Sequence, residues 1–159
     1  MKVITGGVTK PKGFKANGLS CGIKKSSRLD LGLIASDCLA DSVTVFTKNS
    51  VKAAPLMISQ KHARNHKIQA IIVNSGNANC FTGSLGLIYA DRTTQLIGKA
   101  LNIPKSNVIV ASTGIIGKVL PFEKIQKAIP ELVQGLSVKG AQKVAKAILT
   151  TDTMIKEKT

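Results

Sequence analysis

At 159 residues the chain has about the length of one domain, and its composition, 43% AVILMFWYC with 14 Gly and 5 Pro, excludes collagen-like, disordered and coiled-coil classes. No apolar run reaches the roughly 18 residues of a spanning helix. Lys and Arg number 23 against 8 Asp and Glu, and this formal charge of +15 raises the question of a nucleic acid or an acidic partner.

Gly13 and Gly18 punctuate an opening loop around Phe14. Short β-compatible runs follow at residues 21–24, 31–35 and 43–47, separated by Gly, Asp and charged residues. Pro55 opens a helix carried on to Arg64, since a first-turn proline loses no hydrogen bond. Residues 68–73, Ile-Gln-Ala-Ile-Ile-Val, have the length and β-branching of a buried strand. They run into Asn74-Ser-Gly-Asn-Ala-Asn79, a dense turn-forming tract. From Gly83 the stripe Leu85, Ile88, Tyr89, Leu96, Ile97, Ala100 and Leu101 has helical spacing. Residues 108–111 form a second buried strand, ending in Ser112-Thr-Gly-Ile-Ile-Gly117. Phe122, Ile125, Ile129, Leu132 and Leu136 follow helical spacing again, with Pro130 expected to kink or divide the helix. Val138, Ala141, Val144, Ala145 and Ile148 mark a last helix, with Ser137 as its N-cap. From Met154 the text reads as the opening of another strand, so the chain is expected to be part of something larger. Strands alternating with helices argue α/β or α+β.

Residues 1–8 lack an apolar core region and a small-residue cleavage site, so a secretory signal is not expected. Cys21, Cys38 and Cys80 are odd in number and widely spaced, which fits a reduced, cytoplasmic setting better than a zinc site or disulfide framework. His62 and His66 have metal-ligand spacing, but no third ligand accompanies them, and solvated surface histidines are the better reading. Cys80 with a His base would make a nucleophile, yet neither His has an orienting partner in sequence, and a core Cys is preferred. Only four Phe and one Tyr accompany the positive charge, none in a stacking motif. The loop Ser112-Thr-Gly-Ile-Ile-Gly117-Lys118 follows a strand and precedes a helix, but its glycines are too close and Val119 follows the Lys, so it is not a phosphate loop. Two readings stay open for it: an ordinary turn, or a Thr hydroxyl beside backbone NH groups that stabilises a developing oxyanion. Asn74–Asn79 is open between polar recognition and turn structure. For Thr150-Thr-Asp-Thr153 the choice lies between substrate contact and capping.

Four tracts in order, residues 45–55 (Val-Phe-Thr-Lys-Asn through Ala-Ala-Pro), 72–79, 111–121 and 147–153, together resemble the N-terminal part of the ornithine acetyltransferase family, also called glutamate N-acetyltransferase, of arginine biosynthesis. The resemblance runs from about Gly13 to the end of the chain. It implies a multifunctional enzyme made as one precursor that cuts itself at an Ala-Thr bond, the freed Thr being the nucleophile. The implied fold is mixed α/β (α+β), with residues 1–159 as one domain forming the N-terminal half of an α-β-β-α sandwich. The implied reaction moves acetyl from N-acetylornithine to glutamate. No bound cofactor and no metal are implied, although some members use acetyl-coenzyme A as a co-substrate. The implied partner is the C-terminal chain of the same precursor, in a heterotetramer of two chains of each kind, with no nucleic acid and no membrane. The family's oxyanion pair falls on Thr113 and Gly114, and a substrate contact falls on Thr150, with Thr151 the alternative. The family's Lys-Gly-Ser/Ala-Gly-Met and Ala-Thr-Met-Leu motifs are absent, and no Ala-Thr dipeptide occurs. The competing expectation is a basic, non-catalytic module that binds nucleic acid or an acidic protein.

Overall fold

Successive strand residues point to opposite faces of the sheet, and this divides the molecule into layers. The computed structural model describes residues 6–152 and 154–155. Strands β1 (Phe14–Leu19), β2 (Leu31–Asp41), β3 (Lys67–Asn77) and β4 (Val108–Ile115) form one sheet in that order. The first two junctions are antiparallel and β3 pairs with β4 in parallel. A parallel step needs a crossover, which is supplied by helix α2 (Gly83–Leu101). Helix α1 (Ala54–His62) precedes β3, and α3 (Phe122–Gln134) and α4 (Ala141–Ala147) follow β4. The mixed α/β class expected from the alternation is the one observed.

On one face Leu19, Leu31, Leu33, Ala70, Ile72, Val108 and Val110 are buried with Ala54 of α1, Ile97 of α2 and Ile125, Ile129 and Leu132 of α3. Burying side chains of this size contributes about 1.5–3 kcal/mol each, so this layer dominates stability. Tyr89 and Phe122 stack with centroids 4.8 Å apart and join α2 to α3. The other face carries Gly18, Gly32, Ile34, Ile71, Val73, Ile109 and Ala111, by the pairing register. Helix α4 covers mainly its β1–β2 end, where Gly18 leaves room for the Lys143 carbonyl and Val144 and Ala147 sit over Gly32. Ile71 stays 37% exposed, and Ile34, Val73, Ile109 and Ala111 are half-buried. An apolar sheet face is thus left partly open.

Several local expectations give way to tertiary structure. The supposed opening loop around Phe14 is strand β1, because β2 offers it a full antiparallel ladder. Residues 21–24 form no strand and are instead folded around Asp30. Residues 43–47 leave the sheet altogether, with Val43 and Val45 93% and 94% exposed. Four of the six residues of the Asn tract belong to β3, which continues through Asn77, and β4 likewise absorbs Ser112–Ile115 because the two ladders support each other. Pro130 does not divide α3: it lies on the exposed side, where water can satisfy the carbonyl it leaves unbonded, while Ile129 and Leu132 hold the buried side. Ser137 is not an N-cap. It exchanges backbone hydrogen bonds with Ala16, and α4 starts after Gly140. Met154 is exposed and outside any strand, and residues 156–159 lie outside the described residues.

Candidate active site

The parallel ladder of β3 and β4 pairs Ser75 with Thr113 and Gly76 with Gly114, so the side chains of Ser75 and Thr113 share a face. That face is the α4 face, since the buried Ser75 hydroxyl donates to the Ala147 carbonyl at the end of α4. Thr113 is half-buried beside it, and its hydroxyl donates to no other described residue. Gly114 follows with φ 131°, and a Cβ there would collide with the backbone of Gly76 and Asn77. Only glycine permits both this backbone and this approach.

The Asn tract builds the support behind these two residues, and its Gly76 and Asn77 also line the cleft beside them. Asn74 donates to the Asn77 carbonyl (2.8 Å) and accepts from the Ser112 hydroxyl (2.6 Å). Buried Asn77 donates to the carbonyls of Lys118 (3.0 Å) and Val119 (3.2 Å), which ties down the loop after β4. Its Oδ1 accepts the Asn79 NH, and Asn79 donates to Gly86 at the start of α2. Most of the tract is thus strand rather than the expected turn, held by its own amides.

Thr113 and Gly114 line a cleft of about 720 Å³ together with Thr150, Thr151, Lys24, Lys25, Arg28 and Lys118. Three segments remote in sequence therefore meet: the end of β4, the chain leaving α4, and the loop 20–30. Among the described residues no acidic side chain lines the cleft, while Lys24, Lys25, Arg28 and Lys118 do, a setting suited to a carboxylate-bearing ligand. This basic arc was not legible as a site, because in the sequence it is hidden among evenly scattered lysines. The loop 20–30 is held by Asp30, fully buried, whose carboxylate accepts the NH groups of Cys21 (2.7 Å) and Lys24 (2.9 Å). Burial lowers the Lys24 pKa, with a further push from Arg28 and partial opposition from Asp30.

The cysteines and histidines have distinct settings. Burial, then the Asp30 charge, pushes the Cys21 thiol up to about 12, so it stays protonated and unreactive at neutral pH. His62 is buried, not solvated as expected, and its Nδ1 lies 2.8 Å from the Val108 carbonyl, so it tethers α1 to β4. His66 is exposed in a left-handed turn. Cys80 is half-buried. Among the described residues no group of three metal-ligating side chains is found, and no helix is long and apolar enough to cross a membrane.

The ArgJ family model matches residues 15–159. The chain belongs to the ArgJ family. The "arginine biosynthesis bifunctional protein ArgJ" of Caldanaerobacter subterraneus is 44% identical over 98% of the chain, and that of Geobacter sulfurreducens 43% identical over 91%. Only 38% and 37% of these proteins are covered, so this ArgJ-family chain spans less than two fifths of the length of the relatives it matches. The crystal structure of ArgJ from Bacillus halodurans superposes with a TM-score of 0.88 at 41% identity, covering 96% of this chain and 82% of that one. Ornithine acetyltransferase from Mycobacterium tuberculosis, crystallised with ornithine, gives a TM-score of 0.92 at 35% identity, covering 96% and 84%. The family resemblance carried by the four tracts is therefore correct.

Proposed function

We propose that this chain is the N-terminal portion of a self-cleaving, cytoplasmic ornithine acetyltransferase and supplies half of its acyl-transfer site. The observation that carries the reading is the convergence of Thr113, Gly114 and Thr150 on one cleft lined by cations. Its support from outside the chain is the match to ArgJ proteins and to an acetyltransferase that holds ornithine.

In this reading the hydroxyl oxygen of a Thr on the C-terminal portion attacks the acetyl carbon of N-acetylornithine. The carbonyl oxygen becomes an oxyanion, which accepts hydrogen bonds from the Thr113 hydroxyl and the Gly114 NH. The C–N bond then breaks, ornithine leaves with the proton given up by the Thr, and an acetyl ester remains. The amine of glutamate attacks that ester through a second oxyanion at the same place, and N-acetylglutamate departs as the Thr regains its proton. Thr150 contacts the substrate, with Thr151 as its neighbour on the rim, and the Lys25, Arg28 and Lys118 charges attract the substrate carboxylates. The same cations suit the phosphates of acetyl-coenzyme A as an alternative acetyl donor. The partly open sheet face around Ile71 and Val73 receives the C-terminal portion, completing the α-β-β-α sandwich and a heterotetramer of two chains of each kind.

The test is acetyl transfer by this chain combined with the remainder that its relatives carry. Thr113→Ala is expected to lower kcat by about 100-fold with a smaller change in KM. An unchanged kcat removes Thr113 from the mechanism.

A further inference from the structure

The segment that carries Thr150 leaves α4 after a single short helix, and its position is set by two hydrogen bonds from other parts of the chain. The last carbonyls of a helix lack intrahelical partners. Here the Ala147 carbonyl accepts the Ser75 hydroxyl, and the Leu149 carbonyl accepts the Lys24 ammonium at 2.6 Å, across 125 positions of sequence. The same ammonium donates to the Leu29 carbonyl at 2.9 Å. The Lys24 side-chain stem lies against Gly76, the residue paired with Gly114, where an added Cβ would come within 3.1 Å of Lys24 Cγ. The Lys24 backbone is in turn fixed by buried Asp30, whose carbonyl accepts the Ser75 NH at 2.8 Å. One side chain thus spans the distance between the glycine pair at the end of β3 and β4 and the residue that precedes Thr150.

We propose that Lys24 is a positioning residue, which holds the chain at Leu149 so that the Thr150 hydroxyl faces the cleft wall formed by Thr113 and Gly114. The inference rests on the site reading above and adds to it the device that sets substrate affinity. Lys24 need not touch the substrate: both of its observed acceptors are backbone carbonyls, and its nearest charged neighbours, Arg28 and Asp30, belong to its own loop. A cation bonded to backbone carbonyls is held more firmly than a neutral donor.

The experiment compares Lys24→Met, Lys24→Arg, Thr150→Val and the double variant Lys24→Met/Thr150→Val in the assembled enzyme, with N-acetylornithine and glutamate as substrates. Lys24→Met is expected to raise KM for N-acetylornithine about tenfold with kcat changed much less, and Lys24→Arg to restore most of the affinity. In the Thr150→Val background the Lys24→Met effect should shrink to about twofold or less, since the two residues act through one contact. Additive effects, or a KM within about twofold of wild type in Lys24→Met, overturn the proposal. Should Lys24→Met fail to accumulate, Lys24→Gln, which keeps an amide donor, enters the same cycle and is judged by the same coupling. Thr113→Ala run alongside separates the two levels: if it leaves kcat unchanged, the site reading fails and the positioning role falls with it. If it lowers kcat while Lys24 and Thr150 prove uncoupled, only the positioning role is wrong.

Discussion

Thr113 and Gly114 sit where two demands meet, a hydroxyl free to donate and a backbone that only glycine adopts, and each can be altered separately. Thr113→Ser keeps the donor and is expected to retain much of the rate, so the Ser/Ala contrast at this position isolates the hydroxyl from the loss of packing. Gly114→Ala meets the Gly76 and Asn77 backbone and should fail through the fold itself, seen as a lower Tm together with lost activity. Thr150→Val should lower kcat/KM for N-acetylornithine about tenfold while Tm holds, because a buried polar partner is left unpaired in the complex. A drop in Tm with unchanged kinetics would assign Thr150 to turn structure instead. Cys21 offers a check on the electrostatics of the loop behind the site. Its thiol titrates near 9.0 when unfolded and is pushed up to about 12 by burial and by Asp30. The folded chain therefore binds more protons than the unfolded one between those values, and stability attached to this group is present below pH 9 and lost as pH rises toward 12. With Cys38 and Cys80 replaced by Ser, thiolate absorbance should rise near pH 12; a rise near 9 would show that the loop does not shield Cys21.

The loop 20–30 and the strands β3 and β4 act as elements, and their behaviour explains what the sequence conveyed and what it concealed. Asp30 satisfies two NH groups with charge-assisted bonds from a fully buried position. Asp30→Ala leaves both donors without partners and is expected to destabilise by about 3 kcal/mol. Trypsin, which cuts after Lys24, Lys25 and Arg28, should then cleave this loop far faster than in the wild type; equal cleavage would mean that the loop is held by other contacts. Nothing local in Cys21-Gly-Ile-Lys24 announces this arrangement, because its cause is one acid six to nine residues away, and a short apolar run is read as a strand by default. Helix α2 and the buried cores of β3 and β4 were legible, since their periodicity is long and their apolar residues decide it. Their ends were not: Asn74–Asn77 and Ser112–Ile115 have turn composition, and only the pairing of each tract with the other keeps them extended. At the site, Thr113, Gly114 and Thr150 came from the family resemblance, which the comparisons uphold. The cations around them became visible only when the fold gathered three separate segments.

For the molecule as a whole, charge and exposed apolar surface point the same way. Among the described residues the ion pairs Lys15–Asp37, Lys67–Asp41 and Lys105–Asp91 are all exposed, so each contributes little to stability and none offsets the general excess of cations. A formal charge of +15 on a chain of this size repels itself, yet nothing in the aromatic content equips it to stack on bases. A large acidic surface supplied by the rest of the protein would neutralise the charge where it is densest, and the partly covered sheet face around Ile34, Ile71 and Val73 supplies the apolar area for the same contact. The C-terminal portion is therefore expected to be comparatively acidic, and its association with this chain to slow by about tenfold between low and roughly 0.5 M salt, as screening shortens the reach of the attraction. The catalytic consequence follows from the cleft. Thr113 donates rather than attacks in this reading, and Cys21 is held as a thiol, so neither supplies the acyl acceptor. The purified 159-residue chain is expected to transfer no acetyl group from N-acetylornithine to glutamate, and addition or co-expression of the remainder to restore transfer. Intact-mass measurement on the active sample must then show a second polypeptide. Transfer by the chain alone, with no second polypeptide in the mass spectrum, would overturn the two-part site and return the search for a nucleophile to Thr113, Ser75 and Cys80. Salt-independent association of the two portions would leave catalysis untouched but show that the positive charge serves something other than assembly.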